Sequence, residues 1–480
     1  MDTSIAPRPF PFHYEAVNGS WTVDNIPLRF PNGSLEYRPI HVEDGMIDID
    51  IRRNPFTHAI DPPLNTLTNM LRQHPTYPLS ITISWKAVAL YPSRLVAPPW
   101  SKPVSRDICP DSIEPLKHHI DALIHYIARW KHFRILCPIV PYFSAKFSRI
   151  APHACPKLES IVLMDIDNPA HIQSLTHILR ATEKTVTLLV IDNRDRINYN
   201  GPPDPHDPCE FSITRDLPFL PRPGSLLTSL RLDYQLSPMA ASLLLLSLKE
   251  LVDCVFNGLT DEDGLHGAPT VMCASLRYLK LSKYAPDPAN FRKQTCFGSL
   301  LKTISTPRLK KLVLQGEDKW DPGAFSAFIA RSCCPLDSLH IIRMAINPNE
   351  LVSCLEAAGG SLRDLLLQQR HEEVQSGHYF WTVNFLTRFT QDPRGRGRNK
   401  FCLCPKLKVI SIGDLSLGGS GNFGSALHTR VKVTPLAEVR ILSSDTARRG
   451  TNIPAEDVRV LQALERRGVR VVLAVDPSDA

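Results

Sequence analysis

An α/β solenoid, with parallel strands on a concave side and helices on a convex side, is the fold class predicted by this 480-residue sequence. Three observations predict it. One short apolar pattern recurs along most of the chain, capped amphipathic stretches separate its copies, and charged residues sit between its apolar positions.

The pattern is L-x-x-L-x-L. It stands at Leu158, Ile161, Leu163; Val186, Leu189, Ile191; Leu227, Leu230, Leu232; Leu276, Leu279, Leu281; and Leu309, Leu312, Leu314. It continues at Leu336, Leu339, Ile341; Leu362, Leu365, Leu367; Leu407, Ile410, Ile412; and Leu436, Val439, Ile441. A further candidate, Leu248 and Leu251, has Asp253 where the third apolar residue belongs, so that copy is doubtful or displaced. Alternation of the fourth and sixth positions puts both side chains on one face of a short strand, and the first position packs from the approach to it. Most steps between copies are roughly 26 to 33 residues, the period of large leucine-rich repeats.

Between the strands, a capping residue precedes proline and an apolar stripe follows. Asn168-Pro169 leads into Ile172 and Leu175, Ser237-Pro238 into Leu243 and Leu246, Asp321-Pro322 into Phe325 and Phe328, and Asn347-Pro348 into Leu351 and Leu355. The side-chain oxygen of the cap accepts a bond from an amide of the first turn, and proline there loses no needed donor. Asn347 and Glu350 have capping-box spacing. Gly359-Gly360, Cys155-Pro156, Cys334-Pro335 and Cys404-Pro405 then stop each helix before the next strand.

Such units bury their apolar faces only by stacking, which gives a leucine-rich-repeat-like solenoid. A doubly wound sheet also alternates strands and helices, but buries its strands on both faces. Arg231, Lys280, Lys311, His340 and Arg440 would be buried there and exposed in a solenoid, so the solenoid is preferred. Toward the N-terminus, residues 79–85 alternate as a strand. Asp111 and Glu114 open a helix striped by Leu116, Ile120 and Leu123, and Phe133 to Cys137 is a further strand. Pro454 to Arg467 is a helix ended by Gly468, with a closing strand to Val475. The expected organisation is an irregular, Pro-rich segment over 1–68, the solenoid over 69–475 and a tail over 476–480.

With 43% hydrophobic and 21% charged residues, the chain has the composition of a protein with a large core. A net charge of +7 is mild for this length and does not by itself imply nucleic acid or an anionic membrane. No secretory signal opens the chain, and the most apolar stretch, Met239 to Leu248, is far short of the ~20 residues that cross a bilayer. The 12 cysteines are no disulfide framework and fit a reducing compartment, so a cytoplasmic or nuclear location is expected.

Tyr77-Pro-Leu-Ser-Ile-Thr-Ile83, Ala128-Arg-Trp130, Cys155-Pro-Lys-Leu-Glu-Ser-Ile-Val-Leu163 and Ala330-Arg-Ser-Cys-Cys-Pro-Leu336 resemble the fungal, basidiomycete-type F-box proteins with leucine-rich repeats. The resemblance covers about residues 65–475 and rests on order and spacing. It implies a substrate receptor of a cullin ubiquitin ligase, in which an N-terminal F-box holds a Skp-type adaptor and the repeats hold the substrate. Residues 1–60 depart from the family, lacking the Leu-Pro opening, amphipathic helices and Trp-rich end of the box. Adaptor binding is therefore in doubt: either the box is lost or an upstream segment is missing.

Sharper chemistry is sparse. Gly419-Ser-Gly-Asn-Phe-Gly424 matches G-x-G-x-x-G, but no helix is expected to open at Gly424 and offer amides to phosphate, so a loop is expected. The basic run Pro393 to Lys400 would serve a nuclear or nucleic-acid-associated scaffold, an alternative to a solvated loop. His118, His119, His125, Cys109, Cys402 and Cys404 have no zinc-binding spacing, and His119 is expected to face solvent. No metal, cofactor or catalytic nucleophile is predicted, and the function expected is protein interaction rather than catalysis. The expected partner-binding residues are Arg231, Lys280, Lys311, His340, Arg343 and Arg440, an interrupted basic ladder on the concave strands suited to an acidic protein.

Overall fold

The computed structural model describes residues 40–43, 45–53, 59–84, 114–136, 146, 149, 154–164, 188–192, 227–233, 236–260, 270–283, 296–316, 318–369, 382–390, 403–413, 422–434, 436–443 and 455–475. It is an α/β structure dominated by one large parallel sheet. The chain enters through β1 (Ile40–Glu43), β2 (Met46–Arg53), β3 (Ile60–Asp61), α1 (Leu64–Gln73), β4 (Leu79–Ser84) and α2 (Glu114–His125). Next come β5 (Trp130–Leu136), β6 (Ser160–Met164), β7 (Leu188–Asp192), β8 (Ser229–Asp233), α3 (Pro238–Ser247), β9 (Asp253–Leu259), β10 (Val271–Met272) and β11 (Tyr278–Lys283). Then follow α4 (Cys296–Thr303), β12 (Ile304–Ser305), β13 (Lys311–Gln315), α5 (Pro322–Ser332), β14 (Ser338–Ile342), α6 (Pro348–Ala358) and β15 (Asp364–Gln368). The chain closes with α7 (Val383–Thr390), β16 (Val409–Gly413), α8 (Asn422–Val433), β17 (Glu438–Ser443), α9 (Ala455–Glu465) and β18 (Arg470–Val475).

Strands follow one another across the sheet in chain order, from β2 and β4 through to β18, all parallel. A doubly wound sheet reverses its order at a switch point. This sheet does not. Successive helices from α3 to α9 also contact one another in order. At the N-terminal end β1 and β3 pair antiparallel with β2 and cover its edge.

Each unit is held by the apolar pattern. Leu309, Leu312 and Leu314 are buried, as are Leu336, Leu339 and Ile341, and Phe325, Phe328, Leu351 and Leu355 come down from the helices to meet them. The displaced copy resolves three residues later: Leu251, Cys254 and Phe256 take the three apolar positions, and all are buried. Three expected caps form. Ser237 accepts from the amide of Ala240, Asp321 from that of Ala324, and Asn347 with Glu350 makes the full capping box. Asn168-Pro169 lies outside the described residues.

Two joins are missing from the sequence pattern. Asp318 is buried at the start of α4, where it accepts the amides of Cys296 (3.3 Å) and Phe297 (2.9 Å) and pairs with Lys283 Nζ at 3.1 Å. Three arginines form the other, Arg129 and Arg430 buried and Arg331 half-buried. Arg129 donates to the carbonyls of Leu71, His74 and Tyr77 in and after the last turn of α1, and Arg331 to those of Leu301 and Ile304 at the end of α4. Arg430, stacked over Phe389, donates to Phe389 and Cys404 beyond α7. Helix C-terminal carbonyls lack partners within the helix, so a forked cation from the next unit satisfies them.

The predicted boundary at residue 69 falls too late. Ile47, Ile49 and Ile51 of β2 are buried, and β2 pairs with β4, so the sheet already includes residues 40–53. The prolines and turn residues upstream mask that alternation in the sequence. Among the described residues no helix is long and apolar enough to cross a membrane.

Candidate functional site

Strand register draws the site. Leu312, Leu314, Leu365 and Leu367 enter the core on one face, and the alternate positions line up in rows across the other. Arg231, Lys280, His340 and Arg440 share one row, with Val255, Val313, Leu366 and Ser411 between them. Lys311 belongs to the preceding row with Asp253, Tyr278, Ser338, Asp364 and Glu438, because Val313 is the residue between Leu312 and Leu314. Arg343 follows β14 in the left-handed region, at φ 56°, outside both rows.

The expected exposed basic ladder is corrected on two counts. Lys280 and His340 are each only 6% exposed, and Arg231, Lys311, Arg343 and Arg440 are half-buried. Strands stand ~4.8 Å apart, so long side chains on adjacent strands of a row crowd one another. Acids are also interleaved with the cations. Arg231 Nη2 meets the buried Asp233 at 2.8 Å, and Asn257 donates to the same carboxylate. Arg440 Nε donates to Glu438 at 2.6 Å. Lys311 Nζ lies 5.8 Å from the centre of the Tyr278 ring. Beside these, Val313, Ile342, Leu366 and Leu442 form a small buried apolar cluster against which Tyr278 packs. The middle strands are thus buried on both faces, the feature expected of a doubly wound sheet, while their order has no reversal.

The densest polar group joins β14 and β15. His340 Nε2 is 3.0 Å from Asp364 Oδ2, Ser338 Oγ donates to the same oxygen at 2.8 Å, and Ser338 Oγ stands 3.1 Å from His340 Nε2. Burial holds His340 below its usual range despite Asp364, with Lys311 and Arg440 adding to the effect. Burial alone would raise the Asp364 carboxyl, but the hydrogen bonds from His340 and Ser338 and the charge of Lys311 outweigh it and hold it low. The group is a neutral imidazole and a hydroxyl donating to one carboxylate. A hydrolytic relay needs acid and nucleophile on opposite ring nitrogens, and here both meet Nε2.

The remaining candidates lie elsewhere. His119 is buried rather than solvent-facing, its ring nitrogen 2.8 Å from the Pro62 carbonyl, because α2 packs that face against the turn before α1. A helix does open beside Gly424: α8 begins at Asn422 and buries Ala426, Leu427 and Arg430, an apolar stripe weaker than the flanking glycines. Gly419, Gly421, Cys109, Cys402 and the basic run 393–400 lie outside the described residues. Among the described residues no His, Cys, Asp and Glu group is placed to hold a metal.

The apolar pattern passes over the second position of each copy. Arg277, Lys310, Arg363 and Lys408 stand there, all exposed. No protein-family model matches this chain, and among curated proteins none shows significant similarity to it.

Proposed function

We propose that this chain is a non-catalytic protein-interaction scaffold, a leucine-rich-repeat-like solenoid of the F-box type that receives a protein partner on its strand side. The strand order carries the proposal. Successive strands of the main sheet add in parallel beside one another, and the described helices from α3 to α9 lie each beside the last, the growth mode of repeat arrays, whose long surfaces serve recognition. The shared Nε2 contact of Ser338 and Asp364 is in keeping with this reading, since that one group lacks the two-nitrogen geometry of a hydrolytic relay.

Within that function, the resemblance favours a substrate receptor of a cullin ubiquitin ligase, or its relic lacking the box. Residues Ile40–Glu43, Met46–Arg53 and Ile60–Asp61 are strands, so the amphipathic helices of an F-box do not occupy them. Cross-linking during affinity purification tests both parts. The expected result is a stoichiometric protein partner linked to strand-side or strand-rim residues, with no direct binding of a Skp-type adaptor in a pull-down. Tight adaptor binding would refute the relic, and cross-links confined to the outer helix faces would refute strand-side docking.

A further inference from the structure

We propose that the rim where the strands begin is a docking rail for an extended acidic segment of a protein partner. The backbone builds this row. The amide of Lys310 donates to the carbonyl of Arg277, Asp337 to Lys310, Arg363 to Asp337 and Lys408 to Arg363, each at 2.8 Å. Ala437 then donates to Lys408 at 2.8 Å and Arg470 to Ala437 at 2.9 Å. Arg277, Lys310, Arg363, Lys408 and Arg470 therefore share one row across the strand starts, interrupted by Asp337 and Ala437, and all five are exposed. Arg308 and Lys406, in the turns just before Leu309 and Leu407, add two more exposed cations.

Few acids answer this charge. Asp337 lies within the row and pairs with Lys310 at 3.2 Å, Arg470 is 4.0 Å from Glu438, and Arg277 acts on Asp253. Among the described residues no ion pair joins Arg308, Arg363, Lys406 or Lys408 to an acid. The rim thus differs from the strand face, where Arg231 and Arg440 are bound to Asp233 and Glu438. Unpaired, exposed charges of one sign contribute little to folding but steer and register an oppositely charged partner.

Spacing fits a peptide. Six strand-to-strand steps separate Arg277 from Arg470, roughly 29 Å at ~4.8 Å per step, which an extended segment spans with about nine residues at ~3.3 Å each. Single-stranded nucleic acid is held largely by stacking on aromatic rings, and the row carries none.

The rail rests on the interaction-scaffold function for a natural partner, but its test needs none. A fluorescein-labelled ten-residue polyglutamate is titrated with the full chain at low salt and followed by anisotropy. Wild type should bind, Arg363→Gln/Lys408→Gln should bind about tenfold more weakly, and Arg72→Gln/Arg459→Gln, exposed helix positions of equal charge, should stay within about twofold. No wild-type binding, or equal loss in both double variants, overturns the rail. So does tighter binding of a ten-residue oligothymidylate through Arg363 and Lys408, which would make the rim a nucleic-acid surface. If a cross-linked protein partner binds the Arg363→Gln/Lys408→Gln chain as tightly as wild type, the rail fails while the scaffold function stands.

Discussion

Arginines on the rim and at the helix ends differ in what the guanidinium meets. On the rim it meets water, whereas at Arg129, Arg331 and Arg430 it meets backbone carbonyls that a helix end leaves open. Arg430 is fully buried. Arg430→Ala would remove the guanidinium donor from the carbonyl of Phe389 and from that of Cys404, which keeps only the Leu407 amide, and would open a cavity, a loss of about 3 kcal/mol in urea unfolding. Arg430→Lys should recover only part of it, because an ammonium cannot span both carbonyls as a fork does. Histidine sets the response to acid. Burial, with Lys131 and Arg134 nearby, lowers His132 from 6.5 to about 4, and His340 is lowered in the same sense. A folded-state value below the unfolded one means that the unfolded chain takes up protons first. Stability contributed by the neutral ring is therefore complete above pH 6.5 and is lost as pH falls toward about 4. Unfolding measured across that window should show this decline, and His132→Gln should flatten it.

At the level of the element, the signals legible in sequence are local ones. The caps at Ser237, Asp321 and Asn347 form because cap and amide lie within three residues of each other, and the strands form where the apolar pattern stands. Asn347→Ala should cost about 1 kcal/mol by removing the capping-box acceptor from α6. Leu365→Asp should cost several kcal/mol or prevent folding, because an unpaired carboxylate would enter the core between β14 and β16. Both are measured by chemical denaturation, and similar losses in the two variants would show that Leu365 is not a core position. What sequence did not reveal is cross-strand. Lys280 and His340 look solvent-facing from period-2 alternation, but their burial depends on residues one or two strands away, such as Asp364, 24 positions from His340. The arginine clamps are equally remote, with Arg129 reaching carbonyls 52 to 58 positions back.

Across the whole molecule, parallel α/β organisation was readable from the alternation of strand and helix signals, whereas its N-terminal limit was not. The antiparallel β1 and β3 have no repeat to announce them, and they sit where prolines suggest irregular chain. Covering β2 with short charged strands also protects an edge that would otherwise invite pairing with another chain. The sequential strand order carries a mechanical consequence. Each described strand of the main sheet from β4 to β17 bonds only to its two sheet neighbours, with β10 and β12 paired apart from it, so these strands are joined in series, like links rather than like the layers of a knot. A pull on the two ends loads every link with the same tension. The weakest junction then yields first, its released length relaxes the rest, and the chain pays out one unit at a time. The protein is, in that sense, a spring with a ratchet's worth of intermediate lengths.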